Sequence, residues 1–290
     1  MDVQRIAVFS QGAIGGNPAG VVLRDALPSA ADMQGVAAAV GYSETVFAAP
    51  LGKEWRVRYF APRMEVAFCG HATIALGAAL ALARGDGIFP LQLNDARITV
   101  EGCCREGTLA AALQSPPTRS AAAASGLVEE ALALFSYHPT DLDPRLPPAV
   151  AEAGARHLVL GLASRERLAA MRYDQDAGLE LMTRAGVATI ALVHAEAPRL
   201  FNARNPFAAG GVYEDPATGA AGAALAGYLR DLGWAHGGEI EILQGEDMGV
   251  PSRLLATFSA EPGSSVRVSG TARLMRPAGW SPGDDQIPSP

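Results

Sequence analysis

Lysine is nearly absent from this chain, with Lys53 standing alone, and the arginines are scattered singly rather than clustered. Nucleic-acid recognition needs grouped cations that track a phosphate backbone. With a formal net charge of −7 and a pI near 5.3, a nucleic-acid partner is excluded. Cysteine is scarce as well. Its three copies, two of them adjacent (Cys103, Cys104), make neither a disulfide framework nor a metal-binding spacing. A reducing cytoplasm is the expected location. No apolar run is long enough to span a bilayer; the richest, Ala72–Ala83, is short and interrupted. The opening Met1–Arg5 has no charged stretch leading into an apolar one, which predicts no signal peptide and no membrane partner. The five histidines, at positions 71, 138, 157, 194 and 236, show no H-E-x-x-H or other ligand spacing, which predicts no metal.

Two familiar motifs are also missing. Gly12–Pro18 follows a strand-like run, but it is not G-x-G-x-x-G. Pro18 and the β-branched Val21-Val22-Leu23 stand where a dinucleotide site needs a helix. Gly41-Tyr42-Ser43-Glu44-Thr45 lacks the closing glycine of a nucleophile elbow.

What is present belongs to a globular protein. The 290 residues are 49% hydrophobic and 18% charged, enough for two domains of ordinary size. Short β-branched or aromatic runs bounded by Gly and Pro read as strands at Ile6–Phe9, Gly20–Arg24, Thr45–Ala48, Trp55–Phe60, Arg97–Glu101 and Thr108–Leu113. Ser29–Val40 reads as a helix capped by Ser29. Ser115–Ser120 and the alanines after it make the best linker candidate. The second half repeats the plan, with strands at His157–Leu160, Thr189–Val193, Arg199–Asn202, Glu239–Leu243 and Leu254–Phe258. Helices are expected near Arg165–Met171, Leu179–Ala185 and Ala220–Asp231.

Each half contains one unusually small, apolar helix, Ile74–Leu82 and Ala220–Leu229, and a helix without a polar face must be buried on most sides. The expected fold is therefore α/β (α+β), with two similar lobes, each a curved mixed sheet around a central helix. The first lobe is expected over 1–118, with about 265–276 returning to it. The second is expected over 119–264, and a tail over 277–290.

Each central helix follows a turn that carries a titratable group: Phe68-Cys69-Gly70-His71-Ala72-Thr73 in one half, and Glu214-Asp215-Pro216-Ala217-Thr218-Gly219 in the other. Exposed N–H groups and the positive end of the helix dipole make each start a ready anion site. Taken alone, Cys69-Gly70-His71 reads equally well as a small structural turn. Asp215-Pro216 alone reads as an ordinary helix-start signal. Their repetition at matching places points instead to one cleft that grips a small carboxylate and moves protons on it. Glu44 is a third candidate. At the mouth of an apolar strand its carboxylate is partly desolvated, which raises a carboxyl pKa from about 4.3 toward neutrality. Spacing alone does not separate it from a solvated strand-end glutamate.

Taken in order, these stretches resemble the PhzF-like isomerases of phenazine biosynthesis, which share the diaminopimelate-epimerase fold. The matching segments span nearly the whole sequence: Gly16-Asn17-Pro18-Ala19-Gly20, Ser43-Glu44-Thr45, Arg58–Pro62, Phe68–Thr73, Glu214–Gly219, and Gln244-Gly245 with Pro251-Ser252. The resemblance implies a cofactor-free isomerase of two pseudo-symmetric lobes, a homodimer, acting on a small-molecule carboxylate. It implies that Glu44 shuttles a proton, with His71 and Asp215 positioning the substrate and assisting. Gly70, Ala72, Thr73, Thr218, Gly219 and Ala220 are the implied substrate-binding residues.

The chain departs from the family pattern at Ala220, where the isomerases usually carry Ser, at Gly222, where His is common, and at Val250, where Arg is usual. Related racemases of this fold place a cysteine in each helix-start turn. Cys69 fits the first position, while Pro216 and its neighbours occupy the second. A racemase, epimerase or hydroxyproline-type enzyme using Cys69 is thus the alternative enzyme, and a helix-start thiol is expected to have a lowered pKa and to alkylate readily. A non-catalytic binding module of the same fold is the alternative outside enzymes.

Overall fold

The computed structural model describes residues 1–235 and 237–275; His236 and residues 276–290, which include the expected tail, lie outside the described residues. The first lobe runs through β1 (Gln4–Val8), β2 (Asn17–Leu23), α1 (Ala30–Val40), β3 (Thr45–Leu51), β4 (Glu54–Phe60), β5 (Glu65–Val66), α2 (Gly70–Arg84), β6 (Gly87–Gln92), β7 (Arg97–Arg105) and β8 (Thr108–Gln114). The second continues with β9 (Arg119–Ala122), α3 (Ser125–Leu134), β10 (Ala149–Glu152), β11 (Arg156–Gly161), α4 (Arg165–Ala169), α5 (Gln175–Ala185), β12 (Thr189–Ala197), β13 (Leu200–Pro206), β14 (Glu214–Asp215), α6 (Gly219–Asp231), β15 (Glu239–Gln244) and β16 (Ser252–Thr257). The last described strand, β17 (Arg267–Leu274), pairs antiparallel with β1 and β8 of the first lobe and with β16 of the second.

Both lobes mix strand directions. β2 lies parallel to β3 and β4 to β6, while β11 lies parallel to β12 and β13 to β15; the remaining ladders are antiparallel. Each curved sheet wraps a central helix, α2 or α6. Every residue from His71 to Ala81 in α2 is buried, and so is every residue from Ala221 to Arg230 in α6. A helix enclosed on all sides gains nothing from a polar face, which explains the run of Ala, Gly and Leu. The closeness of the sheet limits side-chain size as well. A Cβ on Gly77 would come within 2.6 Å of the Val100 side chain and 2.9 Å of the Glu101 carbonyl. Burying each Leu or Ile of these helices contributes about 1.5–3 kcal/mol. Their side chains form one apolar cluster that extends through both lobes, from Ile6 and Leu76 to Leu225 and Ile242.

The structure corrects several element boundaries. Ser29 caps α1 as expected, its hydroxyl accepting from the Asp32 N–H at 3.2 Å. The expected linker, however, is only partly a linker. Arg119 and Ser120 open strand β9, which pairs with β10 and carries the forked Arg119–Glu152 contact at 2.9 Å. A Pro-Ser-Ala composition argues against a strand, but a partner with a free edge decides the matter. Likewise α5 starts four residues before Leu179, at Gln175, because Asp174 caps it by accepting from the Ala177 N–H at 2.9 Å. No helix among the described residues is long and apolar enough to cross a membrane.

Candidate active site

The N-termini of α2 and α6 bring their turns to one place, where Glu44 meets them from the loop before β3. The Glu44 carbonyl accepts from the Gly20 N–H at 3.2 Å, which fixes the loop against β2. The Glu44 side chain, 20% exposed, reaches His71, with Oε2 3.6 Å from Nε2. The Ser43 hydroxyl lies 3.5 Å from the same nitrogen, and Cys69 Sγ lies 3.3 Å from the Nδ1 side of the ring. One donor atom each from Glu44, Cys69 and His71 falls within 4.8 Å of the others, a set of the kind that could hold a metal ion. Histidine spacing in the sequence concealed this grouping, because Glu44 comes from a different element.

Asp215 faces this trio. Burial pushes its carboxyl up, the charge of His71 and the donors Thr218 and Asn17 draw it down, and the negative Glu44 pushes it up again. Cys69 is pushed well above the ordinary thiol range by burial first, then by the negative charge of Glu44, with Asp215 adding to it; the Ala72 N–H pulls the other way. Four titratable groups from two lobes thus feel one another's charge across one cleft.

This overturns the expected lowering of the Cys69 pKa. The helix start does act on the sulfur, but burial beside two carboxylates outweighs it.

The second turn is held more tightly than the first. Asp215 Oδ1 accepts from Asn17 Nδ2 at 2.9 Å, and Oδ2 accepts from the Thr218 hydroxyl at 2.6 Å. Gln244 completes the arrangement. Its Oε1 accepts from the Thr218 N–H at 3.1 Å, and its Nε2 donates to the Asp215 carbonyl at 2.6 Å and to Thr218 Oγ1 at 3.1 Å. Asp215 is therefore not the helix cap that Asp215-Pro216 suggested. The helix begins at Gly219 with Thr218 in the cap position, and the carboxylate accepts from a hydroxyl rather than from a first-turn N–H.

The implied binding residues divide into two groups. Thr73 is fully buried, its hydroxyl donating to the Cys69 carbonyl at 2.7 Å and meeting Tyr59 OH at 2.7 Å, so it braces the first turn from inside. Thr218 has both its N–H and its hydroxyl spent on Gln244 and Asp215. Gly70, Gly219 and Ala220 keep first-turn N–H groups, since the first helical bonds start at Thr73, to Cys69, and at Gly222, to Thr218, whereas the Ala72 N–H is turned to the Cys69 sulfur. Gly70 and Gly219 have no Cβ to cover them, with Phe68 and Leu113 nearest one and Phe9 and Val268 nearest the other. Asn17 and Gln244 lay inside the family-like segments of the sequence, but no local signal gave them a role. Their partners are respectively 198 and 29 residues distant for the Asp215 contacts.

A model of the phenazine biosynthesis-like protein family, PhzC-PhzF, matches residues 6–277. A curated relative from Deinococcus radiodurans, named an uncharacterized isomerase, is 32% identical over 295 residues, covering 95% of this chain and 93% of its own. A Pseudomonas fluorescens relative named trans-2,3-dihydro-3-hydroxyanthranilate isomerase is 31% identical over 273 residues, covering 91% of this chain and 94% of its own. Among solved structures, a Bacillus anthracis phenazine biosynthesis protein of the PhzF family superposes with a TM-score of 0.82 at 21% identity, covering 94% and 96% of the two chains. A probable proline racemase from Agrobacterium radiobacter shares the fold at a TM-score of 0.63 and 13% identity, covering 98% and 94%. With its two lobes, its paired helix starts and this full-length match, the chain belongs to the PhzC-PhzF phenazine biosynthesis-like family and is an isomerase.

Proposed function

We propose that the protein moves a proton between two carbons of a small carboxylate substrate, using side chains alone. The observation that carries this reading is the convergence of Glu44, His71 and Asp215 on one cleft between two helix starts. The Glu44 carboxylate takes a proton from one substrate carbon and holds it as a carboxylic acid while the electron pair it leaves shifts along the carbon framework. It then returns the proton to a second carbon. His71 Nε2 beside it and Asp215 across the cleft orient the substrate. The N–H groups of Gly70, Gly219 and Ala220 hold its carboxylate and any developing oxyanion, at the positive ends of two helix dipoles. The Pseudomonas fluorescens relative makes trans-2,3-dihydro-3-hydroxyanthranilate the first substrate to test. Ala220 offers no side-chain hydroxyl at the second helix start, so a substrate needing one fewer donor fits this chain better.

The test is turnover of that compound and of related cyclic carboxylates in heavy water, by wild type and Glu44→Gln. Glu44→Gln keeps the shape and removes the titration, so substrate still binds while turnover falls by about 10² or more. Deuterium enters the new C–H bond only as far as the carboxyl proton exchanges during the bound lifetime. Turnover by Glu44→Gln near the wild-type rate sinks the assignment and makes Asp215 the leading acid–base group.

A further inference from the structure

The amide of Asn17 does no work for its own strand. Asn17 opens β2, where its backbone pairs with Val8, so the strand is fixed without the side chain. The residue is 2% exposed. Both Nδ2 donors are spent on the turn of the opposite lobe, one on Asp215 Oδ1 at 2.9 Å and one on the Ala217 carbonyl at 3.1 Å. The approach to this position is constrained as well. Gly16 precedes it at φ 85°, where a Cβ would come within 2.7 Å of the Val8 carbonyl, and Pro18 follows with its φ fixed.

We infer that Asn17 is a positioning residue: its amide reaches across the lobe boundary and holds the Asp215 carboxylate in the orientation that faces His71 and Glu44. The effect on rate rests on the proton-transfer reading above; the hold on the carboxylate does not. Its chemistry is directional. An N–H donor favours the ionised carboxylate, while burial and like charge favour the acid. The groups facing Asp215 are Glu44, His71 and Cys69. Glu214 beside it is committed to Arg204, whose Nε donates at 2.9 Å. Thr218 holds the other oxygen. Removing Asn17 leaves burial and Glu44 opposed by one donor fewer, so Asp215 titrates at higher pH.

The experiment is carboxylate carbon NMR of the full chain labelled at aspartate Cγ, with the Asp215 signal identified by its loss in Asp215→Asn. In Asn17→Ala the Asp215 midpoint rises by about one pH unit or more, the worth of one hydrogen bond to a charged group. Turnover falls at least about tenfold through kcat, with KM changing less than about threefold, because orientation rather than binding is lost. The acidic limb of the rate profile moves upward with the NMR midpoint. Asn17→Ser keeps one short donor and serves if Asn17→Ala does not fold; its midpoint rises by less, in the same direction. An Asp215 midpoint unchanged in a folded variant overturns the inference, even if the variant melts earlier. A shifted midpoint in a protein whose turnover ignores Glu44→Gln leaves the hold by Asn17 standing and removes the proton-transfer reading instead.

Discussion

The two helix-start turns look alike in sequence and are built in opposite ways. In the first, His71 Nε2 meets its oxygen neighbours loosely, at 3.5 Å to Ser43 and 3.6 Å to Glu44, while Nδ1 makes a sulfur contact of ordinary length, 3.3 Å, to Cys69. In the second, the Thr218 hydroxyl donates to Asp215 at 2.6 Å, and Asn17 and Gln244 hold the pair from outside at 2.9 Å and 2.6 Å. Long contacts leave a side chain able to adjust as a proton moves; short ones hold it in place. The comparison leaves the Nε2 side of His71 room to adjust and makes the Asp215 carboxylate the fixed reference. It also divides the expected consequences of mutation, since change at exposed Ser43 should spare the fold and change at buried Gln244 should not.

After the loss of Glu44, the largest effect is expected at Asp215 itself. Asp215→Asn removes the charge that faces His71 while keeping the size. We expect kcat/KM to fall by about 10², with KM rising, because in the proposed reaction the group orients the substrate and assists in the same step. Steady-state kinetics on a verified substrate checks this. A change confined to melting temperature would show that the second turn is scaffold only.

Gln244→Leu comes next. Gln244 is 2% exposed, and the change strips an acceptor from the Thr218 N–H and a donor from the Asp215 carbonyl and the Thr218 hydroxyl. Buried polar groups left without partners cost about 1–3 kcal/mol. Urea unfolding should register that loss, with activity falling less than in Asp215→Asn. The matching change at Ser43, the exposed neighbour of His71, should leave stability near wild type.

A smaller effect tests the second lobe by pH. Buried His157 sits behind the strand opposite Asp215: its Nδ1 meets Thr189 Oγ1 at 2.8 Å, that hydroxyl donates to Asn205 Oδ1 at 3.1 Å, and Asn205 pairs with Asp215 across β13 and β14. Burial pushes the imidazole down from 6.5 to about 4. The unfolded chain therefore binds the proton first, and stability drains as pH falls from about 6.5 toward 4, then levels off. At pH 5.5 the loss is about 1 kcal/mol. Wild type minus His157→Gln, measured by urea unfolding across that range, isolates this group from the carboxylates. A difference that does not change with pH would disconnect this histidine from acid lability.

Much of this architecture was legible in the sequence because it depends on local chemistry. The paired small helices, the Ser29 cap and the runs from Thr45 and Trp55 each announce themselves through composition or periodicity. The return of about 265–276 to the first lobe was legible as an expectation, while its pairing with β1 and β8 comes from the tertiary fold. Strand β9 was hidden for the same reason. At the site, Glu44, His71 and Asp215 were nameable through the family-like segments, while composition alone left Glu44 an ordinary strand end. Asn17 and Gln244 escaped because a hydrogen bond that crosses lobes leaves no trace in spacing. The direction of the Cys69 shift escaped because dipole and burial oppose each other, and only the packed neighbours decide between them.

Cys69 gives the smallest expected effect and the sharpest discrimination between the turns. A thiol racemase needs the thiolate as a base, with a second thiol in the opposite turn; here that turn, Glu214–Gly219, has no cysteine, and burial with Glu44 and Asp215 keeps the Cys69 proton on. Cys69→Ser should therefore lower turnover by less than about threefold, well short of a lost acid–base group. The thiol's reactivity should follow the charge beside it. At neutral pH Cys69 should alkylate more slowly than the exposed Cys104, as read by peptide mass spectrometry. Glu44→Gln removes the nearer of the two opposing charges, so it should speed alkylation of Cys69 even as it stops turnover. A helix-start thiol governed by its dipole would behave the other way, reacting fast in wild type and showing little response to Glu44. If it does, and if Cys69→Ser abolishes turnover as fully as Glu44→Gln, the loosely held first turn is a thiol site and the racemase becomes the better account of this fold.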